Sequence, residues 1–129
     1  MWLRDGGGIY VNGATNSSFP SVMSGNWVDT DDNEFAVFYL DNGASHWNVT
    51  DNVASNAPAS WGFFMQGCCN LPARDSSVAN FWWQSTLAPE NNCAAEGCTV
   101  DTATVYEVAP TAPWPAAAAA IIANSGART

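Results

Sequence analysis

A chain of 129 residues holds one hydrophobic core and is too short for two ordinary domains, so residues 1–129 read as a single unit. It has no lysine, and Arg4, Arg74 and Arg128 face twelve acids for a net charge of −9, which argues against nucleic acids and anionic membrane surfaces as partners. Charged residues make up only 12% of the chain, so the surface must be built largely from Asn, Ser, Thr and Gly, as in extracellular proteins, virion proteins and carbohydrate-binding modules.

In chain order, Gly6-Gly7-Gly8 leads into Ile9-Tyr10-Val11 and Asn12-Gly13, which predicts a short strand entering a type I′ turn. Residues 16–26, with Pro20, read as a polar loop. Residues 34–40 form the clearest strand, rich in aromatic and β-branched side chains, apolar on both faces and closed by Asp41-Asn42-Gly43. A strand of that kind belongs inside a sandwich or beneath another subunit. Residues 46–50, 61–66, 78–85 and 99–108 are further strands between Gly, Pro, Asn and Ser clusters.

The N-terminus carries no apolar segment of the secretory type, and no stretch is long enough to span a membrane. Residues 113–124 begin Pro-Trp-Pro, continue as an alanine-rich run and stop at Asn124-Ser125-Gly126, which predicts a C-terminal helix. It has no polar face, so it must pack on the sheet or against a neighbouring chain. No internal repeat stands out. The fold expected is therefore mostly β, a small antiparallel sandwich or barrel with a short C-terminal helix.

Four cysteines are present, two of them adjacent. A ring between Cys68 and Cys69 would be strained, so pairing of each with Cys93 and Cys98 is expected, two loops worth roughly 3–4 kcal/mol apiece on the chain-entropy model. Structural zinc fits poorly because one knuckle has collapsed to Cys-Cys. Buried free thiols remain the plain alternative.

Chemistry is hard to place. The stretch Asp29-Thr30-Asp31-Asp32-Asn33-Glu34 groups oxygen ligands, but an EF-hand would need Gly where Glu34 stands and Glu where Leu40 stands. His46 has no nucleophile motif near it, and nothing in the spacing of Glu34, Glu90, Glu96 and Glu107 selects a catalytic pair. Asn16-Ser17-Ser18 and Asn48-Val49-Thr50 match the glycosylation tripeptide, which arises by chance in such a composition. No enzyme activity, cofactor or metal is expected.

Seven tryptophans are many for a core this size, and adjacent Trp82 and Trp83 on one strand must point to opposite faces. Exposed tryptophan anchors protein interfaces and also stacks on sugar rings. Surplus apolar area on Trp82, Trp83, Trp114, Ile121 and Ile122 marks these residues as a candidate interface.

Residues 103–108, Ala-Thr-Val-Tyr-Glu-Val, followed by Trp114-Pro115, the alanine-rich segment and a tail of small residues, resemble the end of bacteriophage head decoration (cement) proteins of the lambda type. The resemblance covers the last quarter of the chain, and the cysteines depart from it. It implies a homotrimer bound to a major capsid protein on the outer surface of a virion. With the composition, it makes a structural virion protein, a decoration protein or else a tail or fibre component, the first functional expectation. The second is a carbohydrate-binding or adhesin module that uses exposed tryptophan, in an extracellular setting.

Overall fold

A computed structural model describes residues 7–13, 18–29, 36–41, 44–56, 61–65, 76–84, 99–100 and 103–126. These form nine strands and one helix: β1 Gly7–Asn12, β2 Ser21–Ser24, β3 Trp27–Asp29, β4 Ala36–Asp41, β5 Trp47–Ser55, β6 Trp61–Met65, β7 Ser77–Trp83, β8 Thr99–Val100, β9 Val105–Glu107 and α1 Ala116–Asn124. The mostly-β composition and the short C-terminal helix are as expected. The pairing is not.

Every described strand pair is parallel. One sheet runs β1-β4-β6, and the other runs β2-β5-β7-β8 with β3 also on β5 and β9 also on β7. In each pair the second strand lies a full turn of chain later, from 29 residues on in Gly7↔Ala36 to 22 residues on in Ser77↔Thr99. The chain therefore coils as a parallel β-solenoid, with β1–β3, β4–β5, β6–β7 and β8–β9 as successive rungs. This corrects the antiparallel sandwich or barrel, and with it the absence of a repeat. Asn12-Gly13 does not make the expected type I′ turn, which needs positive φ at both central residues: only Gly13 takes one, +85°. The expected loop at 16–26 also contains β2, and β3 follows it.

The first three rungs share one left-handed bend, although Gly13, His46 and Asn56 also take positive φ. Gly25, Asp51 and Asn80 have φ of +70°, +55° and +46°, and register places them one above another. Left-handed backbone suits Gly and is tolerated by Asn and Asp. Just past the bend lies Asn52, fully buried. Its Nδ2 donates to the carbonyls of Met23 (2.7 Å) and Thr50 (2.9 Å), and its Oδ1 accepts from the backbone N–H (3.1 Å) and Nδ2 (2.9 Å) of Asn26. One amide thus ties the first two rungs together at the corner.

Side chains stack in columns along the coil. Met23, Val49 and Val78 line one core column. Ile9 and Phe38 lead another, and Phe38 meets Phe81 of the opposite sheet edge-to-face at 5.2 Å. In β4, Val37, Phe38, Tyr39 and Leu40 are all essentially inaccessible, as its two-sided apolar pattern requires. Tyr10 packs edge-on against Tyr39 and donates a hydrogen bond to buried Asp41 at 2.6 Å.

The helix lies outside this coil. Ala118, with Trp114, Ile121 and Ile122, covers Val53 and Trp82 on the outer face of β5 and β7. Its start follows from the fourth rung, and at its end Ser125 Oγ donates to the Gly25 carbonyl (3.1 Å) in the first rung. Replacing Asn52 by Leu strands the Asn26 N–H and the Met23 carbonyl. We expect Asn52→Leu to lower unfolding free energy by about 2–4 kcal/mol in urea titration, because two polar groups lose their partners together.

Candidate functional site

Outside the core, two exposed aromatic rings among the described residues meet polar networks: Tyr10, bonded to Asp41 and Asn12, and Trp27, whose indole lies beside a carboxylate and an amide. β3 alternates, so Trp27 and Asp29 face out while Val28 packs against the core. Trp27 remains 39% exposed. Its Nε1–H donates to Ser55 Oγ at 2.8 Å, fixing the indole at one edge and leaving ring surface open. Ser55 is buried, and its hydroxyl donates a hydrogen bond to Asp29 Oδ1 at 3.0 Å. Asn56 Nδ2 donates to the same oxygen at 2.6 Å.

Two features of the coil make this cluster. Register sets Asp29 beside Ser55 on the next rung. Asn56 has φ of +52°, a conformation that Asn tolerates, and its amide turns back onto the carboxylate. The result is an indole face beside a carboxylate and an amide whose positions are set by hydrogen bonds. The described residues include no Lys or Arg, so nothing cationic among them competes for Asp29.

The sequence-predicted residues fall elsewhere. Trp82 and Trp83 do diverge, but both ends are filled by the chain itself: Trp82 lies beneath the helix at 8% exposure and stacks on Tyr106 (5.4 Å, 21°), while Trp83 enters the core at 1%. Trp114, Ile121 and Ile122 are half-buried against the same outer face. The structure thus gathers Trp82, Trp114, Ile121 and Ile122 into one intrachain cluster. Trp83 joins the other core, where its Nε1–H has no acceptor among the described residues.

Cys68, Cys69, Cys93 and Cys98, and the acidic stretch beyond Asp29, lie outside the described residues. Among those described, no group of three His, Cys, Asp or Glu side chains could hold a metal. His46 is half-buried at the entry to β5 with φ of +62°, and Glu107 is exposed at the end of β9. No described helix is long and apolar enough to cross a membrane.

Sequence reasoning missed Trp27, Ser55 and Asn56, and took Asp29 only as part of an acidic turn, because the segments meet only through the coil. The available signal was the 26-residue offset that recurs in Asn26 and Asn52, Trp27 and Val53, and Asp29 and Ser55.

Comparison of the chain with protein-family models, with curated proteins and with solved structures returns no match. The C-terminal resemblance to decoration proteins thus rests on its residues alone.

Replacing Ser55 by Ala removes the acceptor that holds the Trp27 indole. The Trp27 indole N–H should exchange slowly with solvent in the wild type and at least tenfold faster in Ser55→Ala, measured by NMR, with about 1 kcal/mol lost in stability.

Proposed function

We propose that the chain is a non-catalytic, carbohydrate-binding module of the adhesin kind, presented on a rigid parallel solenoid. The observation that carries this reading is the Trp27 indole, half open and fixed by Ser55, next to the Asp29–Asn56 pair. A pyranose has an apolar C–H face and a rim of hydroxyls. The indole takes the face, and the Asp29 carboxylate and Asn56 amide take hydroxyls at the rim. Because the protein groups are already positioned, little ordering entropy is lost on binding. A single ring on an open face corresponds to weak affinity, with Kd of about 0.1–1 mM per site.

The structural virion reading, a capsid decoration protein on the outer surface or a tail or fibre component, stands second. It drew on surplus apolar area at Trp82, Trp83 and the helix, and that area is largely spent inside one chain. What favours it is the first-rung edge, which no described strand pairs, where subunit-bridging contacts with a second copy or a major capsid protein would form. The homotrimer belongs to the resemblance and to this reading.

Saturation-transfer NMR with a panel of neutral and acidic oligosaccharides tests the leading proposal. We expect saturation of ring C–H protons for at least one saccharide, reduced at least fivefold in Trp27→Ala and unchanged in Tyr106→Ala. Binding that survives Trp27→Ala, or no binding across the panel, overturns it.

A further inference from the structure

Of the five large apolar side chains exposed among the described residues, Tyr10, Phe19, Val22 and Trp27 all belong to the first rung, and only Tyr106 lies elsewhere. The same rung supplies β1, β2 and β3, each paired on one side only among the described residues. An edge of this kind is normally blunted by Lys, Pro or a charge pointing inward. The sequences Gly-Gly-Ile-Tyr-Val-Asn, Ser-Val-Met-Ser and Trp-Val-Asp contain no Lys and no Pro, and their one charge, Asp29, faces outward into the Ser55–Asn56 network.

The other end of the coil differs. On the row that Val28, Ala54 and Trp83 fill with apolar groups, the last rung places Glu107. After it, Val108 N–H bonds back to the Trp83 carbonyl at 2.8 Å and the chain leaves for the helix. A charge on the core-facing row ends the stack there. The two ends therefore do not suit each other, and head-to-tail growth into a filament is disfavoured.

We propose that the first-rung edge is a self-association surface, and that two copies of this chain stack first rung to first rung as a closed two-fold dimer. The lengths of the edge strands fit that symmetry. A two-fold axis through the middle of β1 and the Gly25–Asn26 bend sets β1 antiparallel to its own copy and lays β2, four residues, along the copy's β3, three residues. Among the described residues nothing takes the bonding groups. Ser21 N–H donates to the His46 carbonyl and Gly25 N–H to the Asp51 carbonyl, so by strand alternation the N–H groups of Val22 and Ser24 point to the open side. No Cβ contact obstructs Gly25. Edge-to-edge stacking uses backbone and leaves outward faces outward, so the Trp27 ring stays open, and this inference stands or falls separately from sugar binding.

Two chains of charge −9 repel each other, and salt screens that repulsion. The test is sedimentation equilibrium or light scattering on the whole chain at 50 and 500 mM NaCl. We expect a monomer–dimer equilibrium whose Kd falls at least threefold at the higher salt. Val22→Pro, which removes an edge donor not used by β5, and Val22→Lys, which places a charge on the edge, should each give monomers while retaining the wild-type circular dichroism spectrum; Tyr106→Lys, at the far end, should still dimerise. A monomer at all concentrations up to about 100 μM, species larger than dimers, dimers weakened by salt, or folded Val22 variants that still pair would each overturn the proposal.

Discussion

The left-handed bend shared by the first three turns is the constraint on which the rest depends. Gly25, Asp51 and Asn80 lie in register with positive φ, and each turns its rung through the same corner. Without that coincidence the strands before and after the bend could not both stay in register with the turn above. Asn52 fixes the corner in the second rung by satisfying donors and acceptors of the first that no strand pairing reaches. A fully buried amide is costly unless all of it is bonded, and here both its oxygen and its nitrogen are.

From the corner follow the two environments of the second sheet. Column by column, the inward positions close the core with Met23, Val49, Val78, Phe81 and Trp83, and the outward positions Val53 and Trp82 receive the helix. The alanine-rich sequence of the helix suits this role. Ala118 sits in close contact with the sheet at zero exposure, whereas the other alanines are exposed, so a segment with no polar face covers one strip of the coil without needing a second layer. Trp27 lies at the first rung, where Ser125 ties the end of the helix to Gly25, and it remains 39% exposed.

Local structure was legible in the residues. The apolar run at 34–40 could only be a two-sided strand, and β4 is one; adjacent Trp82 and Trp83 had to diverge, and they do; Pro115 and Gly126 bracket the helix. The partners of the strands were not legible. Short strands separated by turn residues look alike whether each folds back on its neighbour or waits a full turn, and the period here drifts between 29 and 22 residues while the corner residue changes from Gly to Asp to Asn. That drift hid the repeat. For the same reason the candidate site was invisible: Ser55 and Asn56 serve Asp29 across 26 and 27 residues, and no local motif connects them. The surplus of tryptophan pointed to a partner chain as cover, whereas Trp82 is covered by the chain's own helix and Trp83 by the core of the coil.

The central claim is that Trp27, not the buried tryptophans, meets the ligand. Titrating a binding oligosaccharide into 15N-labelled protein and following the indole N–H resonances tests it directly. The account predicts that, among Trp27, Trp47, Trp82, Trp83 and Trp114, the Trp27 signal shifts progressively and saturably while those of Trp82 and Trp83 stay fixed. Shifts centred on Trp114 with Trp27 unmoved would contradict it.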